Sequence, residues 1–312
     1  MFPSNQYGGA PDVIVVIVNP KSAGGKTKRR WLKLRKRLPV DIQVWETKEP
    51  GHAMELARGA LRTGASTLVA AGGDGTINEV VNGFFDGDTP ISSEAVLGII
   101  PMGTSSDLRR SLDLPLDENE ALFVIQNGVP RQIDLMRVRY MSHAGVEETR
   151  YAVNMVSFGI GGAVAARVNR SRKLLGGKVS FTMATAAASL QQTPPKLTLT
   201  LDGNDPSEVV VTNVAVGNGQ YHGAGMRVCP DAKLDDGVLD VTILGALSLP
   251  EMARNRSMLY DGTILNHPKV QAYRAKRVQA ESQETVLIEI DGEPLGRLPI
   301  DIEVLPSALR VF

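Results

Sequence analysis

Cysteine, net charge and aromatic side chains are all scarce in this chain of 312 residues. A single cysteine, Cys229, excludes an internal disulfide framework and is typical of a reducing compartment. Lysine and arginine together number 34, as do aspartate and glutamate, so the formal net charge is zero. Zero net charge and the lack of an aromatic platform beside the basic runs argue against a nucleic-acid partner.

Targeting segments and long apolar runs are missing as well. Residues 1–11 lack the basic and apolar regions of a signal peptide, and the apolar stretch at 152–168 is interrupted by Asn154 and Arg167. We therefore expect a cytoplasmic protein without a membrane span. The four histidines have no zinc-site spacing; they are His52, His143, His222 and His267.

Two familiar nucleotide motifs can be rejected. Gly25-Lys26-Thr27 resembles the tail of a Walker A loop, but Pro20 stands where that pattern needs glycine. The glycine-rich segment 159–164 resembles a dinucleotide fingerprint, yet its sixth position is Val164. A glycine for close helix–strand packing is the simpler interpretation there.

The first third of the chain alternates apolar β-branched runs with helical patterns. This alternation predicts an α/β domain with a parallel sheet. The predicted strands are Val13–Val18, Ile42–Thr47, Thr67–Val69 and Val96–Ile100.

Three polar, glycine-containing loops follow three of these strands, at 19–25, 70–79 and 101–107. Glycine lets the backbone approach a ligand, and free N–H groups at a helix start point towards an anion. Loops at the carboxyl ends of parallel strands converge on one sheet edge. A carboxylate inside the second loop, Asp74, would repel phosphate unless a cation lay between them. The pattern therefore predicts a metal–nucleotide site.

Beyond Asp134 strands dominate, which predicts a β-rich, sandwich-like second domain at 135–303 after a nucleotide-binding domain at 11–134. One helix is predicted at 179–190 and another at 250–260. The predicted strands are Arg131–Tyr140, Arg150–Phe158, Lys196–Asp202, Val209–Gly217, Val238–Leu244, Val270–Ala280 and Thr285–Asp291.

Taken in order, the motifs resemble the diacylglycerol kinase catalytic family, which includes bacterial lipid kinases, sphingosine kinases and ceramide kinases. The match covers nearly the whole chain, and the ordered set is more specific than any member. The motifs are Asn19-Pro20-Lys21-Ser22-Ala23-Gly24, Gly72-Gly73-Asp74-Gly75-Thr76-Ile77-Asn78-Glu79, Pro101-Met102-Gly103-Thr104, Gly217-Asn218-Gly219, Gly223-Ala224-Gly225, Pro230-Asp231-Ala232-Lys233-Leu234-Asp235-Asp236-Gly237 and Ile290-Asp291-Gly292-Glu293.

This resemblance implies an N-terminal domain like those of NAD kinases and phosphofructokinases, with ATP against it, lipid in a cleft between the domains, and residues 304–312 returning to the first domain. It implies that Asp74 helps to hold a catalytic Mg²⁺ and that Glu293 is the base. A second metal site would use Asp236 with the carbonyls of Lys233 and Val238. The implied nucleotide contacts are Asn19, Ser22, Thr47, Gly73, Asp74, Gly75, Thr76, Asn78, Glu79 and Thr104.

The sequence departs from the family at Ser106-Asp107, where Asn-Asp is usual. Asp107 keeps a second carboxylate near the metal, but Ser106 lacks the amide donor. From local sequence alone, Asp235-Asp236-Gly237 fits a hairpin turn, and Glu293 fits a solvated turn residue equally well.

Two basic clusters are candidates for docking on a membrane surface, which a lipid kinase without a span must reach. The second lies at 167–173 beside Leu174-Leu175 and is the better candidate, whereas a solvated helix face is the simpler interpretation of the first. The first comprises Lys26, Lys28, Arg29, Arg30, Lys33, Arg35, Lys36 and Arg37.

The sequence therefore predicts an ATP-dependent lipid kinase that transfers the γ-phosphate to a lipid hydroxyl of diacylglycerol or sphingoid type. Its expected partners are ATP, Mg²⁺, a membrane lipid at a bilayer surface and, as in similar bacterial enzymes, a second copy of the chain. Two alternatives stay open. One is a kinase of NAD or another soluble substrate, and the other is an inactive lipid-binding protein on the same scaffold.

Overall fold

A computed structural model describes residues 13–38, 42–103, 107–162 and 194–312 of the chain. It divides into two compact units, Met1–Ile133 with Ser307–Phe312, and Asp134–Pro306. The predicted helix at 179–190 and the basic cluster at 167–173 lie outside the described residues.

The first unit contains a parallel sheet in the order β6-β3-β1-β2, and Arg310 and Val311 pair in parallel beside β6. Nearly every side chain of β1, β3 and β6 is buried, as expected for a sheet covered on both faces. The strands are β1 Ile14–Val18, β2 Gln43–Glu46, β3 Thr67–Gly72, β4 Phe85–Asp86, β5 Thr89–Pro90 and β6 Val96–Pro101, with β4 and β5 forming a separate antiparallel hairpin.

The helices of the first unit are α1 Lys26–Leu34, α2 His52–Arg62, α3 Asp74–Asn82, α4 Asp107–Ser111 and α5 Glu118–Asn127, with 3₁₀ turns at Ser22–Gly25 and Arg35–Arg37. Helix α1 buries Thr27, Trp31 and Leu34, which recur at helical spacing, so its lysines and arginines lie on the other faces. Sequence analysis did not predict α5. The side chain of Asp117 begins it by accepting the N–H groups of Asn119 and Glu120.

The described residues of the second unit are mostly in β-strands. Its strands are β7 Arg131–Ser142, β8 Glu147–Ala152, β9 Met155–Gly159, β10 Lys196–Leu201, β11 Ser207–Gly217, β12 Tyr221–His222, β13 Met226–Arg227, β14 Leu239–Gly245, β15 Val270–Ala275, β16 Arg277–Glu281, β17 Leu287–Ile290 and β18 Glu293–Val311. The described helices are α6 Leu249–Arg254 and α7 Arg256–Asp261, with a 3₁₀ turn at Ile264–Asn266.

Two long strands of the sheet change partners along their length. The first half of β11 pairs with β10, and its second half lies between β14 and β9. Strand β18 pairs with β17 and then with β16, and it also pairs with β7. A large core of apolar side chains, including Phe158, Val214 and Ile302, lies among these strands, which is the arrangement of a sandwich.

Three predicted elements are divided in the structure. Val153-Asn154 separates β8 from β9, Asn255 separates α6 from α7, and Lys276 separates β15 from β16. The last break has a clear cause, because the carboxylate of Asp202 accepts the N–H groups of both Lys276 and Arg277, at 2.7 and 2.8 Å. No helix within the described ranges has the length and apolar character needed to cross a membrane.

Candidate active site

The order of the strands identifies one edge of the first unit's sheet as a ligand site. From β1 the chain moves to β2 on one side and then returns to β3 on the other. Ligands of α/β proteins bind at such a switch point, beyond the carboxyl ends of the strands. The loops that follow β1 and β3 meet there, and the loop after β6 follows the strand next to β3.

Hydrogen bonds join these loops to one another. Asn19, after β1, donates from Nδ2 to Oγ1 of Thr76 in α3 at 3.1 Å. The hydroxyl of Ser22 lies 2.6 Å from that of Thr27, which in turn donates to the carbonyl of Met102 after β6, at 3.1 Å. Three segments that are distant in sequence are therefore fixed as one surface.

Glycine is required where the second and third loops touch. A Cβ on Gly103 would lie 2.5 Å from Cα of Gly73, and one on Gly72 would lie 2.6 Å from Oγ1 of Thr76. Such distances are too short for any larger residue without backbone movement. Residues 104–106, which include the predicted nucleotide contact Thr104 and the unusual Ser106, lie outside the described part of the chain.

The start of α3 has the chemistry of an anion site. Gly73 precedes the helix with extended backbone, and no side chain caps it. The first N–H groups of the helix and its dipole therefore favour a bound phosphate. Asp74, Gly75 and Thr76 form the first turn, which places a carboxylate beside that phosphate position.

The carboxylates near α3 fit a magnesium ion shared with phosphate. Asp74 accepts the N–H of Asp107 at 3.3 Å, so the two residues are neighbours. Asp107 also pairs with Arg110 at 3.1 Å. Mg²⁺ in phosphate-transfer sites commonly takes only one or two protein carboxylates, with substrate oxygens and water completing its shell.

Three other predicted nucleotide contacts have structural partners. Glu79 accepts the N–H of Ala53 at 3.1 Å and so caps α2. Asn78 is buried and accepts from Asn82 at 3.1 Å. Thr47 is buried and its N–H donates to Val18 at 2.8 Å. These bonds shape the loops, and direct contact with nucleotide stays a prediction for all three residues.

In the second unit, Glu293 begins β18 directly after a two-residue turn. Asp291 and Gly292 both have positive φ, at 47° and 85°, and Ile290 pairs with Glu293. This is the geometry of a type I′ hairpin, for which Asp-Gly is a preferred sequence. The turn therefore fixes Glu293 at the first position of a strand, and the half-buried side chain is not that of a fully solvated turn residue.

Asp291 fastens this turn to the break between β8 and β9. Its carboxylate accepts three backbone N–H groups, those of Val153, Asn154 and Met155, at 2.9, 3.0 and 2.9 Å. Hydrogen bonds to an ionised carboxylate are among the stronger ones in proteins. The role of Asp291 is thus to hold the backbone on which Glu293 depends.

Two asparagines continue this network, and the sequence patterns gave no role to either side chain. Asn218 is fully buried and donates to the carbonyls of Asp134 and Val153, both at 2.8 Å. Asn154 donates from Nδ2 to the carbonyl of Tyr221 at 2.7 Å. The available signal was an amide side chain within an otherwise apolar run, since a buried amide needs hydrogen-bond partners.

The turn at Asp236 is held by different contacts. Gly237, with φ of 72°, donates to the buried carboxylate of Asp134 at 2.7 Å. Asp236 accepts the N–H of Val238 at 3.3 Å and forms an ion pair with Arg274. Burial raises the pKa of the neighbouring Asp240 to about 6. Arg274 thus pairs with the carboxylate that the family resemblance assigns to a second metal ion. That metal site, with the carbonyls of Lys233 and Val238, stays a prediction.

No group of three or more histidine, cysteine, aspartate or glutamate side chains in the described part of the chain is arranged to hold a metal ion on its own. A magnesium site at Asp74 would therefore need substrate oxygens to complete it.

Comparison with known proteins agrees with this geometry. Residues 13–138 match the model of the diacylglycerol kinase catalytic domain, and residues 154–312 match that of the YegS C-terminal NAD kinase beta sandwich-like domain. The chain belongs to the diacylglycerol kinase catalytic-domain family. A Stenotrophomonas maltophilia protein named "Probable lipid kinase YegS-like" is 31% identical over 95% of this chain and 94% of its own length. A Pseudomonas aeruginosa protein of the same name is 30% identical over 96% and 94%.

Solved structures agree with the architecture expected for this family. A diacylglycerol kinase from Bacillus anthracis matches with a TM-score of 0.68 and 23% identity, over 96% of each chain. Yeast NADH kinase in complex with NADH matches with a TM-score of 0.55 and 13% identity, over 97% of this chain and 83% of its own. The predicted fold class, an α/β unit like that of NAD kinases followed by a β-rich unit, is confirmed.

Proposed function

We propose that this protein is a lipid kinase that transfers the γ-phosphate of ATP to a hydroxyl group of a membrane lipid. The observation that carries the proposal is the joined surface at the sheet's switch point, with glycine backbone, an uncapped helix start and Asp74 together. Family membership and relatives named as lipid kinases support the same reaction.

In the proposed reaction, the lipid hydroxyl oxygen attacks the γ-phosphorus and the bond from that phosphorus to the bridging oxygen breaks. ADP leaves, and the hydroxyl proton passes to Glu293. Backbone N–H groups at the start of α3 bind phosphate oxygens, and Asn19 and Thr76 fix the loop positions. Mg²⁺ held at Asp74 supplies positive charge to the phosphates when bound.

A phosphate-transfer assay identifies the acceptor of the phosphate directly. Purified protein is incubated with radiolabelled ATP and an extracted lipid mixture, and the labelled product is identified. We expect label in a lipid phosphate and none in soluble products. NAD in place of lipid tests the alternative of a soluble acceptor, since the likeness to yeast NADH kinase concerns the fold alone.

Label recovered in NADP, with none in lipid, would replace the proposal by that alternative. Label in neither, from folded protein that binds lipid, would favour the inactive lipid-binding scaffold.

The proposal extends to docking on the bilayer through helix α1, the basic cluster that lies within the described residues. The cluster at 167–173, the better candidate from sequence, lies outside them. The helix contains no acidic residue, and its outer face carries Arg29, Leu32 and Lys33, with Leu32 55% exposed. Lys36 is exposed in the 3₁₀ turn that follows the helix. Basic side chains beside an exposed leucine suit the surface of an anionic membrane. Arg30 is engaged elsewhere, because it pairs with Glu118 and donates to the carbonyls of Pro101 and Met102.

The docking proposal predicts salt-sensitive binding to vesicles containing phosphatidylglycerol. Reversing two charges with Lys33→Glu and Lys36→Glu should weaken binding roughly tenfold or more, at about 1 kcal/mol for each basic residue lost near the surface. A control that makes the same charge change at exposed Lys196 and Lys276 of the second unit should bind as the wild type does. Equal weakening in both variants would contradict docking through α1.

A further inference from the structure

A buried ion pair lies in the second unit next to the turn that carries Glu293. Glu289 of β17 is 2% exposed, and its Oε1 lies 3.1 Å from Nε2 of His222 in β12. The side chain of His222 is itself only 14% exposed. A carboxylate is almost never this deeply buried without a partner, and His222 is the ion-pair partner that the structure gives it.

Four groups act on Glu289. His222 lies opposite it and Ser157 of β9 is its cross-strand partner. The carboxylates of Asp291 and Glu293, at the following turn, are near enough to raise its pKa. Burial raises the pKa of Glu289 to about 7, His222 opposes that rise, and both neighbouring carboxylates add to it. Glu289 therefore gains or loses its proton near neutral pH, and a negative charge on Glu293 raises the pKa of Glu289.

The pair is also tied mechanically to that turn. Tyr221, next to His222, accepts the side-chain N–H of Asn154, and the backbone N–H of Asn154 donates to Asp291. On the other side, Glu289 is separated from Asp291 by one residue of β17. The strands that carry the histidine and the glutamate are thus both joined to the β17–β18 turn.

We propose that His222 and Glu289 are positioning residues that share one proton, and that the charge of this pair sets how strongly Glu293 binds a proton. The inference deepens the proposed function and rests on it. When the pair carries the proton, its two charges cancel; when the proton leaves, one buried negative charge remains near Glu293. That charge disfavours a second negative charge, so Glu293 becomes the stronger base.

Carbon-13 NMR of the glutamate carboxylates tests the pair without any lipid. The signal of Glu289 is identified by its loss in Glu289→Gln. We expect it to titrate near pH 7 in the wild type, well above the ordinary 4.5. In His222→Gln the midpoint should rise by about one unit, because the opposing positive charge is gone. An ordinary midpoint in the wild type, or no change in His222→Gln, would overturn the proposal.

The dependence of kcat on pH tests the effect on Glu293. We expect kcat to rise through about pH 7 in the wild type, to rise at higher pH in His222→Gln, and to lose this step in Glu289→Gln. Glu284→Gln, an exposed change on the same unit, should retain the wild-type profile. A merely structural role would lower kcat by the same factor at every pH and would contradict the proposal.

The two readouts also separate this inference from the proposed function. The expected titration of Glu289 with no phosphate transfer to any lipid would count against lipid kinase activity and not against the pair. If Glu289→Gln does not fold, Glu289→Asp, which keeps a carboxyl group at this position, identifies the Glu289 signal by its loss from the spectrum of protein labelled only at glutamate.

Discussion

The first unit builds its candidate site mainly from backbone at the ends of adjacent parallel strands, whereas the second builds its own from side chains that bind the backbone of distant segments. In the first, glycine packing and one helix start define the phosphate position. In the second, Asp291, Asn154 and Asn218 connect loops that are separated by more than sixty residues. We therefore expect a charge change at the phosphate position of the first unit to act directly on the substrate. A charge change at Asp291 of the second unit should act through the fold.

The largest effect is expected at Asp74, the carboxylate placed beside the phosphates. Asp74→Asn keeps the size of the side chain but removes the charge that would hold Mg²⁺. We expect phosphate transfer to fall by about 10³-fold or more, since electrostatic stabilisation is commonly the largest catalytic contribution. Thermal unfolding should change little. Asp86→Asn, at an exposed ion pair with Arg62 in the same unit, is the control and should remain active; near-normal turnover in Asp74→Asn would refute the metal assignment.

Glu293 should give the next largest effect, and it tests whether the second unit contributes chemistry as well as structure. Glu293→Gln removes the proposed base but keeps the hairpin, so kcat should fall by about 10²–10⁴-fold. Affinity for ATP should stay as in the wild type, because nucleotide contacts are assigned to the first unit. Equilibrium binding of a fluorescent ATP analogue and steady-state kinetics measure both quantities. Unchanged kcat would remove Glu293 from this role.

Substitution of Asp291 should have a different effect from substitution of Glu293. It should lower the stability of the protein, and activity should fall only as a consequence. Its carboxylate accepts three backbone N–H groups, and hydrogen bonds to a charged group contribute about 1.5–3 kcal/mol each. Asp291→Asn retains one acceptor oxygen, so we expect a loss of about 2–3 kcal/mol in the free energy of unfolding. Urea denaturation measures it. A stable but inactive variant would mean that Asp291 acts directly on substrate.

The same difference explains how much of the molecule could be predicted from sequence. The parallel strands and the loops at 19–25, 70–79 and 101–107 depend on local patterns, namely apolar runs that end in glycine and helix starts. The bond between Asn19 and Thr76 then follows from strand order. No local pattern links His222 to Glu289 or Asn218 to Asp134, because these pairs are brought together only by the antiparallel pairings of the second unit.

Some predicted strands were incomplete or had wrong limits, in part because contacts with distant residues decide where strands break. Alternating burial runs through Leu298, Ile300 and Ile302, so a strand was recognisable there, yet it was not predicted. The breaks at Asn154 and Lys276 require knowledge of Asp291 and Asp202, which bind those backbones from elsewhere in the chain. At each break, a distant carboxylate accepts consecutive backbone N–H groups. The strand stops there although the local sequence favours its continuation.

The smallest expected effect concerns Arg274, the cation that pairs with Asp236. The turn at Asp236 can be compared with the turn at Asp291, since each contains an aspartate carboxylate. Asp291 is satisfied by backbone, whereas Asp236 depends on Arg274, whose side chain is 57% exposed. If Arg274 supplies the charge that the family resemblance assigns to a metal, the Tm of the wild type should not depend on Mg²⁺ through Asp236. Arg274→Gln should lower the Tm by only about 2–4 °C, since a partly exposed ion pair contributes about 1 kcal/mol or less.

In that variant, millimolar Mg²⁺ should restore part of the lost Tm, because the carboxylate and the carbonyls of Lys233 and Val238 become available as oxygen ligands. Adding Asp236→Asn to Arg274→Gln should abolish the restoration, which separates this turn from any Mg²⁺ bound at Asp74. A wild-type Tm that rises with Mg²⁺ and loses that rise in Asp236→Asn would instead establish the metal site, with Arg274 displaced from the carboxylate when the ion binds.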